Sequence, residues 1–569
     1  MKKNFLKAAV MTLVAGGAIF GTAMVSDAAN VRILPVDTAK FWAGARFDFD
    51  VEVSGAKNLE NVKVDINGVP ADKFFGKNAV QKTLDNGVVS YRIDQVSFPK
   101  TGDITVTASA NDNGVVSTST AKYKVVNEKA VKRAKNVILF IGDGMSLQAR
   151  EIARILSKGM TNGKYNDLLA MEKLDHNAVI TTSGYDSLVT DSANSASAYA
   201  TGHKSVVNAM GVYEDSTKDP LDDPKVENLS EILKRTRGMS IGIITQAEST
   251  DATPAAMVGH TRRRANQDFK DKGYIFVSTS KEMMAAPSDK PLLGLFHTGT
   301  MNVYIDREML KNPKVLKGFT DQPNLMNMTE KSLDILSKNP NGFFAMIEGA
   351  SIDKHLHVMD WQRAAYDTIE FDKSIEYAEN WAKEHGNDTL IIVVADHAHG
   401  ISISGTYHER DGKKGPEAVR VYAKSIFPTF KDADHDGFPD NPDPDVTLAV
   451  QYANHPEYYE NYHFMKTPTP PALSVTETKE EASKVGDKIE YHQVSSASSK
   501  ANPARIHPGD PEVLMPANTP KDDAQEAHAA DDVLLNAGGP GSEYFHGTMD
   551  NTEVFFGILR ALGINGNKK

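Results

Sequence analysis

Two textures of hydrophobic and polar positions divide the chain. From Val31 to Val126 apolar and polar residues alternate in short runs, as in Phe47-Asp48-Phe49-Asp50-Val51-Glu52-Val53, Val62-Lys63-Val64-Asp65-Ile66 and Ile104-Thr105-Val106-Thr107-Ala108. Asn67-Gly68, Asn86-Gly87 and Asn113-Gly114 supply turns between them, and period-two alternation with such turns predicts a small all-β sandwich of immunoglobulin type over 30–127. A charged, Ala-rich linker follows at 127–135. Beyond it, over 134–569, continuous apolar runs appear at Val137–Phe140, Ile241–Ile244, Phe343–Ile347 and Leu390–Ala395, separated by helical stretches. Runs of that kind belong to strands buried on both faces, so the second region is expected to be α/β, a mainly parallel sheet with helices on both faces. From about 405 to 540 the pattern dissolves into Pro, Asp and Glu, with Thr467-Pro468-Thr469-Pro470-Pro471 and a Ser/Ala run at 495–499. That stretch reads as an insertion leaving the sheet and returning near Tyr544.

The first residues follow a different rule. Lys2 and Lys3 precede an apolar run from Phe5 to Val25 and then Asp27-Ala28-Ala29, the pattern of a signal peptide over 1–29. The expected protein is exported, periplasmic or secreted, without stable membrane insertion. Among 569 residues there is no cysteine, so disulfides, thiolate zinc sites and a lipoprotein anchor are excluded, and any zinc must be held by His and carboxylates. A net charge of -12 argues against nucleic acid as a partner.

Each buried run ends in residues that can bind ligands: Asp143 after the first, Glu248 and Asp251 after the second, Glu348 and Asp353 after the third, Asp396-His397 after the fourth. Sites in open α/β sheets form outside the carboxyl ends of the strands, so these groups should converge. Asp353 and His357 are four apart and share one helix face, suited to one zinc; His546 is a further isolated histidine. The stretch Thr190-Asp191-Ser192-Ala193-Asn194-Ser195-Ala196-Ser197-Ala198-Tyr199-Ala200-Thr201-Gly202 predicts a helix of small residues stopped by Gly202. Ser192 at its start is equally read as part of an N-capped, tightly packed helix or as a nucleophile at a positive helix end. No Gly-x-Ser-x-Gly elbow surrounds it, which favours a metal as its activator.

Six blocks in order carry a resemblance: Ile141-Gly142-Asp143-Gly144-Met145, Asp191-Ser192-Ala193, Asp251-Ala252-Thr253-Pro254-Ala255, Glu348-Gly349-Ala350-Ser351-Ile352-Asp353-Lys354, Ala395-Asp396-His397-Ala398-His399 and Phe545-His546-Gly547. In these the chain resembles the alkaline phosphatases. The resemblance implies phosphate monoester hydrolysis through a phosphoserine at Ser192, two zinc ions, one magnesium ion and a homodimer. Carried over by position, it implies Asp353, His357 and His546 around one zinc; Asp143, Asp396 and His397 with Ser192 around the other; and Asp143, Thr253 and Glu348 around magnesium. Arg264, four residues after His260, would clamp the phosphate, leaving Arg262 and Arg263 solvated or supporting the site's field. Asp251 and Lys354 look like the bacterial version, the aspartate supporting magnesium-bound water and the lysine reaching phosphate through water. Ser146 departs from the glycine common there.

Within the insertion, Asp432, Asp434, Asp436, Asp440 and Asp443 fall at positions 1, 3, 5, 9 and 12 of a loop with Gly437 at 6, the spacing of a calcium loop and equally that of an acidic turn. Three functions stay open on the residues: the phosphomonoesterase, a related metal-dependent phosphodiesterase or sulfatase, and a non-catalytic surface binding protein.

Overall fold

The computed structural model describes residues 29–84, 86–127, 133–263, 274–413, 415–452, 478–485, 488–495 and 526–568. Residues 1–28 of the expected signal peptide, most of the 127–135 linker, Arg264, the Pro-rich run and residues 496–499 of the Ser/Ala run lie outside them.

The alternating N-terminal pattern folds as two facing sheets. One has the order Asn30–Leu34, Arg46–Ser54, Val89–Ser97, Val80–Thr83; the other Lys40–Trp42, Val115–Val126, Gly102–Asp112, Leu59–Ile66, Val69–Pro70. Their inward residues, among them Phe47, Phe49, Val51, Ile66, Ile93, Val106 and Tyr123, form one apolar core. Tyr213 and Val226, from far along the chain, complete it. Trp42 instead faces the second region, its indole N–H donating to Ile564 O at 3.2 Å.

One buried carboxyl group of the sandwich lies on the face of its strand away from the apolar core, near Ser90, Glu52, Arg92 and Asp215. Asp50 is 1% exposed; burial pushes its carboxyl up to about 7, against the hydrogen bond it accepts from Ser90 Oγ at 2.8 Å. A carboxyl raised in the folded state binds its proton more tightly folded than unfolded. Its contribution to stability is therefore fully present below the unfolded value of 3.8 and is lost as pH rises through about 7. Asp50→Asn, which mimics the protonated form, should raise the melting temperature at pH 8 relative to pH 5, compared with the wild type. An identical pH dependence in thermal scans of both proteins would show that Asp50 carries no such linkage.

The second region is the expected α/β architecture. Its sheet runs Ser240–Thr245, Phe343–Gly349, Asn136–Gly142, Thr389–Ala395, Val533–Gly538, His176–Thr181, Gly547–Asp550. Every pairing is parallel except those of Val533–Gly538, which runs against both neighbours. The strands Asn136–Gly142, Phe343–Gly349 and Thr389–Ala395 are buried at every position, the reason they read as unbroken apolar runs. The helices form two sets. Trp361–Glu384 packs on Leu147–Lys158, Leu325–Leu336 and Ser351–His357, while Ser192–Thr201 packs on Leu229–Arg237, Ala252–Ala256 and Glu553–Leu562. No helix among the described residues is long and apolar enough to cross a membrane.

The polar region differs from expectation at its end. Ile401–His408 pairs with Val446–Tyr452 beside the sheet, but Val533–Gly538 already lies within the central sheet, before the expected return near Tyr544. Asn536 and a run of acids just before the strand mask it in sequence. In the fold Asn536 accepts from Arg150 Nη1 at 2.6 Å, and Arg150 Nη2 donates to Leu534 O at 2.7 Å, so the polar atoms of a buried strand are satisfied.

Candidate active site

The parallel register sets the strand ends level. Gly142 lies opposite both Gly349 and Ala395, and Thr245 opposite Glu348. Asp143, Glu348, Asp396 and His397 therefore emerge along one edge of the sheet, all buried. At this edge the backbone must come close: Gly144 has φ +64, and a Cβ there would meet the His399 ring at 2.6 Å and Asp353 Oδ1 at 3.1 Å, so only glycine fits. The family-departing Ser146 has a local task, since it caps the helix Leu147–Lys158 by accepting from Ala149 N at 3.3 Å.

The serine helix spans Ser192–Thr201, every residue buried. Asp191 caps it through Asn194 N at 3.0 Å, and Asn194 Oδ1 returns the bond to Asp191 N at 3.1 Å. Gly202 ends it at φ 74. Tyr199 O–H donates to Ala395 O at 2.6 Å, tying the helix to the strand that delivers Asp396-His397. Ser192 Oγ consequently stands 3.2 Å from His397 Nε2 and 3.5 Å from Asp143 Oδ1. Asp143 Oδ1 is itself 3.2 Å from His397 Nε2.

A second group surrounds Asp353, with His357, His399 and His528 each offering a ligand atom. Asp353 Oδ1 lies 2.7 Å from His399 Nε2, 3.3 Å from His357 Nε2 and 3.5 Å from His528 Nε2. Two of these rings are oriented from behind: His357 Nδ1–H donates to Glu526 O at 2.6 Å and His528 Nδ1–H to Thr190 O at 2.8 Å. A backbone carbonyl on Nδ1 fixes the tautomer and turns Nε2 toward a ligand. The two groups touch, with His397 Nε2 3.8 Å from Asp353 Oδ1.

His528 is a residue the sequence reading missed, and His546 does not stand where the resemblance puts it. His546 is exposed beside the edge strand Gly547–Asp550 and belongs to no ligand group among the described residues. The histidine next to Asp353 and His357 comes instead from the two-residue strand His528–Ala529, held against Ala398-His399. The signal available for it was the apolar Val533-Leu534-Leu535, a strand start five residues downstream.

Asp251, Thr253 and Lys354 gather at the same edge. Thr253 is buried in the helix Ala252–Ala256, capped by Asp251. Lys354 Nζ lies 3.0 Å from Asp251 Oδ2 and 3.7 Å from Asp353 Oδ2. Thr245 Oγ1 donates to Glu348 Oε2. Glu248 is exposed, and Arg264 is outside the described residues. Arg262 is not solvated: it is 9% exposed, donates to Thr217 O at 2.6 Å and Asp219 O at 2.8 Å, and pairs with Asp223 at 3.2 Å. In the acidic loop only Asp432, Asp434 and Asp440 converge. Asp436 accepts from Phe438 N at 2.7 Å, and Asp443 stands outside the group.

The electrostatics fit a cation-binding edge. Burial, then the neighbouring Asp353 and Asp396, push Asp143 well above the carboxylate range. Burial and Asp251 raise Glu348 to about 8, and burial raises Asp396 to about 6. Burial alone would also raise Asp353, but His357, His399 and His528 hold it well below its usual value. Burial lowers His397 strongly and His399 to about 4, leaving both rings neutral, the form in which imidazole ligates. Buried polar atoms also lack hydrogen-bond partners among the described residues here: Thr253 Oγ1, Asp396 Oδ2 and His397 Nδ1. Like charges crowded in low dielectric, together with such open acceptors, suit divalent cations bound by oxygen and nitrogen.

Known proteins share this arrangement of sequence and fold. The family profile described as alkaline phosphatase matches residues 134–271 and 265–564. The chain is 30% identical over 348 residues to an alkaline phosphatase of Escherichia fergusonii, covering 48% of this chain and 71% of that one. It is 27% identical over 474 residues to alkaline phosphatase 4 of Bacillus subtilis, covering 75% of this chain and 89% of that one. The solved alkaline phosphatase of Thermus thermophilus is similar in fold, with a TM-score of 0.50 and 21% identity over 76% of this chain and 93% of that one.

Proposed function

The chain belongs to the alkaline phosphatase family and is a phosphatase; from that premise we propose that it hydrolyses phosphate monoesters with Ser192 as nucleophile. The observation that carries the reading is the position of Ser192 Oγ at a buried helix start, 3.2 Å from His397 Nε2 and 3.5 Å from Asp143 Oδ1, beside the Asp353 group.

In this reading Asp353, His357 and His528 would hold one zinc ion and Asp143, Asp396 and His397 the other. Asp143, Thr253 and Glu348 would hold magnesium, whose preference for oxygen matches their side chains. The bound cations supply Lewis acidity, lowering the pKa of the serine hydroxyl and neutralising phosphate charge. The chain itself positions the reactants. The positive end of the dipole of the helix Ser192–Thr201 lies at Ser192 and favours negative charge there. Ser192 Oγ attacks phosphorus in line as the alcohol leaves, giving a phosphoserine; water then cleaves the phosphoserine, releasing inorganic phosphate and restoring the hydroxyl. Lys354, held by Asp251, keeps a cation at the edge of the site, since Asp353, Asp143 and Asp251 raise its pKa against burial. Arg264 is assigned in this reading to grip two phosphate oxygens in the planar geometry of guanidinium. Export and homodimer assembly belong to the same reading.

The competing reactions are phosphodiester and sulfate ester hydrolysis at a shared metal core. A cation-lined edge with Lys354 suits a dianionic terminal phosphate better than a monoanionic diester or sulfate. Initial rates should accordingly be fastest on an aryl phosphate, slower on the matching bis-aryl phosphate and on the aryl sulfate. Faster turnover of either alternative ester would reverse the assignment.

A further inference from the structure

The loop from Tyr213 to Val226 belongs to two parts of the molecule at once. On one side it completes the N-terminal sandwich, with Tyr213 and Val226 in that core. Glu52 of the sandwich accepts from Ser216 N at 2.7 Å and Ser216 Oγ at 2.9 Å. Asp48 Oδ2 accepts from Lys225 N at 3.1 Å, Asn86 Nδ2 donates to Ser216 O at 2.7 Å, and Arg92 Nη1 donates to Asp222 O at 2.6 Å. On its other side the loop takes the Arg262 guanidinium through Thr217, Asp219 and Asp223. The sandwich thus fixes the loop, and the loop fixes the backbone around Arg262 and Arg263.

Between these pieces an open cleft of about 700 Å³ is lined by Asn208, Glu214, Thr217, Lys218, Arg262 and Arg263, among others. It borders the cap of the serine helix: Asn208 N donates at 3.1 Å to Asp191 Oδ2, the residue immediately before Ser192. Its charges are unequal. Its lining holds three cations, Lys218, Arg262 and Arg263, against two acids, Glu214 and Asp215, and both acids lean toward Arg262, at 3.9 and 3.7 Å. Lys218 and Arg263 are exposed and have no ion-pair partner among the described residues.

We propose that this cleft receives the alcohol portion of the ester, and that Lys218 and Arg263 favour alcohols carrying a second anionic group, a carboxylate or a further phosphate. The inference rests on the monoesterase reading and extends it to substrate class. It also gives the sandwich a task, that of holding the wall of a substrate subsite. Two solvated cations give a modest, salt-screened preference and not an absolute requirement.

The experiment compares kcat/KM of the full metal-loaded enzyme on phenyl phosphate and on its carboxylated analogue, at low and high salt. The wild type should prefer the carboxylated ester, the more so at low salt. Lys218→Glu should lower the ratio of carboxylated to plain ester about tenfold, and Lys218→Arg should keep it. Glu52→Ala, remote from substrate, should lower the ratio in the same direction by loosening the loop; a merely destabilising change would lower both rates together. An unchanged ratio in Lys218→Glu overturns the subsite. An unchanged ratio in Glu52→Ala beside an effective Lys218→Glu overturns the part assigned to the sandwich. A wild type that hydrolyses neither ester sinks the monoesterase reading itself.

Discussion

Ser192→Ala should lower kcat/KM for an aryl phosphate by about 10³-fold or more, roughly 4 kcal/mol of transition-state stabilisation. The size follows from what the substitution removes. A serine nucleophile divides a difficult displacement into two easier ones, and without Oγ only direct attack by water remains. The helix it starts should survive, because its cap is formed by Asp191 and Asn194 and its anchor by Tyr199, not by the Ser192 hydroxyl. Circular dichroism and melting temperature should therefore match the wild type, so that the loss reads as chemistry. Acid-quenched reactions with labelled substrate should leave phosphate on the wild-type chain and none on the variant. A variant retaining more than about a tenth of the wild-type rate would refute a covalent route through Ser192.

A second large effect separates two histidines. His528→Ala should lose bound zinc and cut activity by about 10²-fold or more, since even the groups that orient a metal ligand cost 10- to 100-fold when removed. His546→Ala should retain both metal content and rate, because its ring is exposed beside an edge strand. Metal analysis of the two purified variants, with monoesterase rates alongside, decides between them. Loss in His546→Ala with retention in His528→Ala would restore the assignment made from the sequence motif.

What the sequence disclosed and what it hid have physical causes. The strands Asn136–Gly142, Phe343–Gly349 and Thr389–Ala395 were legible because burial on both faces demands unbroken apolar runs, and the parallel sheet then places their last residues on one edge. Asp143, Glu348, Asp396 and His397 could be read for that reason. His528 was not legible, because it sits on a two-residue strand after a long polar stretch, where neither helical nor strand periodicity exists to place it. The block Phe545-His546-Gly547 offered a histidine of the right kind at the wrong position. The sandwich strands were visible from their alternation, yet nothing in that alternation indicates that Asp48, Glu52 and Arg92 hold a loop more than a hundred residues away. That Arg262 is buried and not solvated was hidden for the same reason: its partners Thr217, Asp219 and Asp223 are brought to it by a loop whose path only the fold defines.

The antiparallel strand Val533–Gly538 gives the molecule an order of assembly. It lies between Thr389–Ala395 and His176–Thr181, so a growing chain holds the sheet as two unjoined parts until nearly its last residues have been made. His528 arrives with that strand. The ligand group around Asp353 is therefore completed by the same event that closes the sheet, a contact of high sequence separation and so a late one. A chain shortened before residue 528 would lack both the joining strand and the third histidine. The ability to gather its cations would then report, in a single property, that the fold had been finished.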